Sequence, residues 1–172
     1  MTDAMAISGI KISPPVLALQ LRSDPATRDW TPRLCRLLTA ARVNIAFMTA
    51  AGAGSRARTL CCIDPEQRNE VVRLIAHDPQ LHASVTFGNT MGLLTLYPHR
   101  GSIPLLGRVV QTLHEAGIPL HGLASSIAAL TLATDYERLE EAASRIVDRF
   151  DLPRNVSPLK PTFTVRQQKR AH

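Results

Sequence analysis

The sequence has few aromatic residues and no segment typical of a membrane protein. Aromatics make up only 4% of the 172 residues, which argues against the stacking platforms that hold single-stranded nucleic acid. No apolar run is long enough to cross a bilayer. The N-terminus, MTDAMAISGIKIS, lacks the basic region and apolar stretch of a signal peptide. We therefore expect a cytoplasmic protein with no membrane partner.

Patterns typical of catalytic or metal-binding sites are also missing. The three cysteines, Cys35, Cys61 and Cys62, form no CxxC pair and are odd in number, which is typical of small core residues in a reducing compartment. The six histidines show no HxH or HExxH spacing. No Ser/His/Asp triad and no GxxxxGK[ST] phosphate loop is present. These absences predict no catalytic residues, no metal, no cofactor and no enzymatic activity.

The charge is basic but dispersed. A net charge of +6 and a pI of about 9.9 can indicate nucleic-acid binding. The arginines are scattered, however, and the one dense group is Arg166, Lys169 and Arg170 near the C-terminus. We interpret the charge as a solvated surface, and nucleic-acid binding through this basic tail is the weaker alternative.

Hydrophobic periodicity and capping residues predict four helices. The first begins at Thr31-Pro32, the second at Asp64-Pro65 with Gln67 placed for a capping box, and the fourth after Asp135. The third spans about Pro104 to Ala116, and Gly117 serves as its C-cap. Short β-like runs lie between the helices: Val16–Leu21, Val43–Thr49, Arg58–Ile63, Ala83–Phe87, Leu93–Tyr97, Leu120–Ala124 and Ala128–Leu132.

These elements repeat. The order is β-α-β-β-α-β followed by β-α-β-β-α, and an offset of 72 carries Leu34 to Leu106, while an offset of 71 carries Asp64 to Asp135. The pattern predicts an α+β fold of two ferredoxin-like βαββαβ units, each an antiparallel sheet with helices on one face. We place the units at residues 13–89 and 90–153, before a basic tail at 154–172. The last strand of the second sheet could come from Ile7–Ile12 or from Thr162–Arg166.

The stretch GRVVQTLHEAGIPLHGLASSIAALTLATDYERLEEAASRIVDRFDLP, from Gly107 to Pro153, is similar to the regulatory region of aspartate kinases, a tandem of ACT domains. Its Leu113-to-Leu120 passage, Ser125-Ser126 pair, Leu130-Thr131-Leu132 run and Phe150-Asp151-Leu152 end resemble that pattern. CRLLTAARVNIAFMT, from Cys35 to Thr49, resembles the same passage in the first unit. In that family the strand before the first unit completes the second sheet, so the resemblance assigns Ile7–Ile12 this role.

The resemblance covers about Ile7 to Pro153 and implies the sensor without the kinase. It departs from the family at Asp29-Trp30-Thr31-Pro32 and at Gly101-Ser102-Ile103-Pro104, where each unit usually has a glycine turn. Pro119 replaces the usual asparagine, and Ser126 replaces the usual acidic residue.

The resemblance also implies a ligand groove for an amino acid, formed where helix N-termini meet paired edge strands. The candidate contacts are Trp30, Thr31, Asn44, Ile45, Arg100, Gly101, Ser102, Ile103, Ser125 and Ser126. Arg100 would clamp the carboxylate. The simpler alternatives are packing for Trp30 and helix capping for Thr31 and Ser102. For Asn44 the alternative is a turn, for Arg100 a surface position, and for Ser125-Ser126 a strand end.

Two functions follow. The first is an allosteric regulatory ACT module that binds an amino acid and forms a homodimer through edge strands or helices. The second is a structural adaptor that docks on an enzyme or another protein and binds nothing small.

Overall fold

The computed structural model describes residues 7, 9–22, 29–52, 56–97 and 102–150. The strands are β1 (Gly9–Ile12), β2 (Val16–Arg22), β3 (Ile45–Ala51), β4 (Arg58–Ile63), β5 (Val85–Tyr97), β6 (Gly122–Ser125) and β7 (Leu130–Asp135). The helices are α1 (Thr31–Ala40), α2 (Arg68–Ala76), α3 (Pro79–Ser84), α4 (Ile103–Glu115) and α5 (Leu139–Arg149). Short 3₁₀ turns at Pro65–Gln67 and Tyr136–Arg138 precede α2 and α5.

The strands form an antiparallel sheet in the order β3-β4-β2-β5-β7-β6, and β1 also pairs with β5. The predicted class, an antiparallel sheet combined with helices, is confirmed. The prediction of separate strands at Ala83–Phe87 and Leu93–Tyr97 is wrong, because β5 is one strand of 13 residues. Pairing with β2 reaches Met91, and pairing with β7 begins at the same residue. The strand stays extended through Gly88-Asn89-Thr90, where its register with β2 shifts between the pairs Leu19–Phe87 and Leu17–Thr90.

The N-terminal strand β1 pairs with the C-terminal end of β5. Gly9 is opposite Tyr97 and Ile12 is opposite Leu94, so β1 is in the position that the resemblance assigns to it. The alternative segment, Thr162–Arg166, lies outside the described residues, as does the whole predicted tail.

The helices α1 and α4 end in the same way. Their matching ends correct the offset of 72 residues that the sequence pattern gave for these two helices. The Val43 N–H donates to the Leu38 carbonyl, and the Ile118 N–H donates to the Leu113 carbonyl, both at 2.9 Å. The turn residue has a positive φ in each case, 56° at Arg42 and 62° at Gly117. These caps make Leu38 equivalent to Leu113, an offset of 75 (113 − 38) rather than 72. The offset of 71 holds at Asp64 and Asp135, each of which immediately precedes a 3₁₀ turn.

Two details at helix starts differ from the prediction. Asp64 accepts from the Glu66 N–H at 2.9 Å, but the capping box is not formed because the buried Oε1 of Gln67 has no partner. The sequence reading also missed α3. Asp78 caps it by accepting from the Gln80 and Leu81 N–H groups at 3.2 Å, so the signal was a second Asp-Pro pair at Asp78-Pro79.

The sheet is buried on both faces. Leu17, Leu19 and Leu21 of β2 join a core with α1, α2 and α3, and the second half has a corresponding core with α4 and α5. Val16 and Ala18, which alternate with those leucines, join a third core. Burial on both faces explains why β2 and β4 are almost continuously apolar.

The third core connects the two halves of the chain. It combines Phe47 and Leu60 of the first half with Ala133 of β7. Gly122 lies against the same residues, since a Cβ there would be 2.9 Å from both Leu60 Cδ2 and Phe47 Cε1. The first residue of β6 must therefore be as small as glycine for the halves to approach this closely.

The adjacent cysteines occupy different cores. Cys61 lies in the core that faces α1, α2 and α3, called here the helix-facing core, and Cys62 lies in the third core. Burial raises the pKa of Cys61 to about 12 and that of Cys62 to about 11, from an ordinary value of 9.0. Both thiols are therefore unreactive in the folded protein, because the thiolate is the nucleophile.

We predict that alkylation near pH 9 modifies Cys35 first and reaches Cys61 and Cys62 only after unfolding, as followed by mass spectrometry. The raised pKa values also favour folding at pH values below 9.0. This contribution is lost as the pH rises from about 9 towards 11–12, since only the unfolded chain ionises there. Equal labelling of all three thiols in the native protein contradicts the prediction.

Candidate functional site

The first predicted loop leads into α1, and its side chains are occupied locally. Asp29 Oδ1 accepts from the Thr31 N–H at 2.9 Å. Thr31 was expected to be the cap, but Trp30 holds the N-cap position and makes no side-chain capping bond. The Thr31 hydroxyl lies instead 2.6 Å from that of Thr59 on β4, and the half-buried Trp30 packs against the helix-facing core.

The N–H groups at the start of α1 are already satisfied. Those of Arg33 and Leu34 donate to the Trp30 carbonyl at 3.0 Å, and Pro32 has none. The expected set of unpaired donors is therefore not found at this terminus. A ligand near α1 would interact with the helix dipole and with side chains rather than with free N–H groups.

The second loop has a similar arrangement. Ser102 caps α4 by accepting from the Leu105 N–H at 3.2 Å, as predicted for its capping role. Its carbonyl accepts from the Leu106 N–H at 3.1 Å. Ile103 is 75% exposed. The proposed contacts Arg100 and Gly101 lie outside the described residues.

The strands β3 and β6 are at the two ends of the sheet. Within the described part of the chain β3 pairs only with β4, and β6 pairs only with β7. Asn44 is exposed immediately before β3, and Ile45 is 39% exposed at its start. Neither strand has a second hydrogen-bonded neighbour among the described residues, although Gly122 of β6 lies against Phe47 of β3.

The structure does not bring the first set of predicted residues together within one chain. Ile45 pairs with Ile63 at one end of β4, whereas Thr31 contacts Thr59 near the other end. Four residues of strand separate these two positions, a distance of about 13 Å. Trp30 and Thr31 are therefore at the opposite end of the sheet from Asn44 and Ile45.

The second set lies at one end of its sheet. Ser125 pairs with Leu130, which pairs with Leu96, and β5 ends at Tyr97, shortly before Ser102. Ser125 is exposed. Ser126 forms a turn, since its hydroxyl donates to the Ala129 carbonyl at 3.1 Å and accepts from the Ala129 N–H at 3.0 Å. Within the described residues, Ser125 makes no such side-chain hydrogen bond.

Several clefts are lined by none of the predicted site residues, and two of them join residues from both halves of the chain. One, of about 990 Å³, is lined by Pro15, Leu17, Pro65, Arg68, Gly88, Asn89, Thr90, Asp135, Tyr136, Glu137 and Arg138. The other, of about 280 Å³, is lined by Gln20, Leu21, Arg22, Thr49, Ala51, Arg58, Thr59, Leu60 and His121. The residues that line each cleft are distant in sequence and are brought together by the register of the strands. The sequence alone therefore does not indicate these clefts.

Among the residues that the structure describes, no group of three or more His, Cys, Asp or Glu side chains is placed to hold a metal ion. None of the helices within the described ranges is both long and apolar enough to span a membrane.

Comparison by structure finds aspartate kinase regulatory regions. The ligand-free regulatory subunit of aspartate kinase from Thermus thermophilus is similar, with a TM-score of 0.72 and 13% identity over 84% of this chain and 99% of that one. Aspartate kinase from Synechocystis matches with a TM-score of 0.76 and 13% identity over 96% of this chain and 30% of that one. E. coli aspartokinase III in complex with lysine and aspartate matches with a TM-score of 0.62 and 12% identity over 88% of this chain and 35% of that one.

No family model matches the chain, and no curated protein matches it by sequence. The structural matches confirm the predicted resemblance to aspartate kinase regulatory regions, and at these identities they show the fold.

Proposed function

We propose that this chain is a tandem ACT regulatory module that binds an amino acid, forms a homodimer and has no catalytic activity of its own. The fold of aspartate kinase regulatory subunits supports the module. The observation that carries the proposal is the position of the predicted contacts along the edge strand β3. Asn44 and Ile45 lie at its start, and Thr31, which contacts Thr59, lies beside its end. We expect the module to act in the cytoplasm and to change the activity of an enzyme or protein partner.

The strand order supports two ferredoxin-like units. The first half has the order β5-β2-β4-β3, and the second has β1-β5-β7-β6. If β1 is counted as the last strand of the second half, both orders are last-first-third-second, as a split βαβ fold requires. We propose units at residues 13–89 and 90–153 that meet within β5, with residues 154–172 as a tail.

Pairing of β3 with a second copy would bring the first set of predicted residues together. In an antiparallel pair the start of one strand lies beside the end of the other. Ala50, near the end of β3, pairs with Thr59, which contacts Thr31. Asn44 of the partner subunit would therefore lie near Trp30 and Thr31 of this chain. The ligand groove would form only in the dimer.

This groove suits an amino acid. The Asn44 side-chain amide offers both a donor and an acceptor, and a strand edge offers backbone N–H and C=O groups. A zwitterion needs this combination. The similar aspartokinase III binds lysine and aspartate. In the second half, Ser125, Ser102 and Ile103, with Arg100 and Gly101, would form the equivalent contacts around α4.

We predict that at least one standard amino acid at millimolar concentration raises the melting temperature, because a ligand that binds the folded state stabilises it. Asn44→Ala should abolish the shift with little change in the melting temperature of the free protein, since Asn44 is exposed. Asn69→Ala, at another exposed asparagine on α2, is the control. If no amino acid produces a shift, or if both variants reduce it equally, amino-acid sensing at this groove is wrong.

We also predict that Ala46→Lys converts a dimer to a monomer in light scattering after size exclusion. Ala46 is exposed on β3, and lysine on an edge strand opposes strand pairing. Ala76→Lys, at an exposed alanine ending α2, should leave the dimer intact. A wild-type monomer at all concentrations, or a dimer that resists Ala46→Lys, rejects the β3 interface.

The second candidate is a structural adaptor that binds no small molecule. It is favoured by the satisfied N–H groups at the starts of α1 and α4, since these termini need no ligand. An adaptor would show no amino-acid shift while still retaining a specific protein from its native host on a column of the full chain. The Asn44→Ala variant should then retain that protein equally well.

A further inference from the structure

The smaller cleft between the halves has an unusual distribution of charge. Arg22 of β2 is directly opposite Arg58 of β4 in the ladder, and like charges in this position repel each other. Among the described residues, no acidic residue lines the cleft, and the nearest carboxylate that the hydrogen bonds show is that of Asp135, which is bonded to the lining residue His121. Within the described ranges, the side chain of neither arginine has an ion pair or a hydrogen bond. Both arginines are exposed, and the described part of the chain supplies no acidic partner for either charge.

The strand register gives this cleft its floor. Arg58 pairs with Arg22 on one side and with Ala51 on the other, and the next row on the same face is Gln20, Leu60 and Thr49. This is the face of the third core, because Leu60 belongs to that core. The cleft therefore lies on the opposite face of the sheet from the contact between Thr31 and Thr59 at α1.

The second half of the chain supplies the wall. Gly122 contacts Leu60 and Phe47, which holds the preceding residue, His121, at the cleft. The His121 backbone N–H donates to the Ala133 carbonyl at 2.9 Å, and its Nε2 lies 2.8 Å from Asp135 Oδ1. The His121 ring is thus held in place by its backbone and by its Nε2.

We infer that this cleft binds a phosphoryl group, either as inorganic phosphate or as a small phosphate monoester. The two guanidinium groups and the Gln20 amide provide N–H donors, and the Thr49 hydroxyl adds another. A single carboxylate has one charge and is satisfied by one arginine, whereas a phosphate dianion accepts from two. The volume of about 280 Å³ fits a small metabolite rather than a nucleic-acid strand.

The test is calorimetric titration of the full chain with inorganic phosphate in a chloride buffer of matched ionic strength. Arg58→Gln should weaken phosphate binding about tenfold or more, because it removes a charge-assisted bidentate contact. Arg58→Lys, which keeps the charge but loses the fork, should give an intermediate loss. Arg73→Gln on the exposed surface of α2 makes the same charge change and should have no effect.

Thermal melting of the same variants checks that they are folded. Arg58→Gln should melt at the same or a higher temperature than the wild type in chloride, since it relieves the repulsion from Arg22, but it should lose the rise that phosphate produces in the wild type. Glycerol phosphate and inorganic phosphate distinguish the two ligand sources, and selective binding of either supports the site.

Three results overturn the inference: equal weakening by Arg58→Gln and Arg73→Gln, succinate binding as tightly as phosphate, or an oligonucleotide binding more tightly than either phosphate compound.

Discussion

Phe47→Ala is expected to lower the free energy of unfolding by about 3–5 kcal/mol, the usual cost of removing a buried phenylalanine. Phe47 is 7% exposed in the core that joins the two halves. Its ring lies so close to Gly122 that a Cβ there would be 2.9 Å from Cε1. Without the ring, the strand β6 loses most of its support from the first half.

Urea unfolding measures this loss, and hydrogen exchange locates it. Amides of β6 should lose more protection than those of β2, which has many other neighbours. Tyr136→Ala removes an aromatic side chain that is 39% exposed and should cost less than about 1 kcal/mol. Equal destabilisation by the two variants means that the interface between the halves is not formed as described.

Ile10→Ala is expected to lower the free energy of unfolding by about 2–5 kcal/mol. Ile10 is 1% exposed and lies in the core of the second half, although it precedes the whole first half in sequence. It pairs with Leu96, so its loss leaves a cavity beneath α4 and α5. Unfolding of the second half should be promoted even though the substitution is at the N-terminus.

Lys11→Ala is the matched control, because Lys11 is exposed at the next position of the same strand. It should change stability by no more than about 0.5 kcal/mol. Exchange of α5 amides should accelerate in Ile10→Ala alone. If both variants are neutral, β1 does not complete the second half.

The local elements were largely readable from the sequence. The bounds of β4 were predicted as they occur, and those of β2 to within one residue, because each mostly apolar run is followed by polar or turn residues. The Gly117 cap and the Ser102 cap were predicted because only a few residue types suit those positions. Asp78-Pro79 carried the same signal as Asp64-Pro65 and was overlooked because α3 is only six residues long.

The candidate site was harder to predict. The sequence placed Trp30, Thr31, Asn44 and Ile45 in one groove, but within a chain the structure separates them along β4. A helix runs antiparallel to the strand that precedes it, so its two ends reach opposite ends of the sheet. The proposed groove therefore depends on a second chain, which spacing alone does not indicate.

The sequence by itself determined most of the segments that form helices and strands, and which residues are apolar on each face. These properties depend on neighbours within a few positions. The tertiary structure decided that β5 is shared by both halves, that β1 pairs with its second half, and that Arg22 faces Arg58 beside His121. Such contacts depend on strand register between distant segments, and a shift of one residue would place every side chain on the other face.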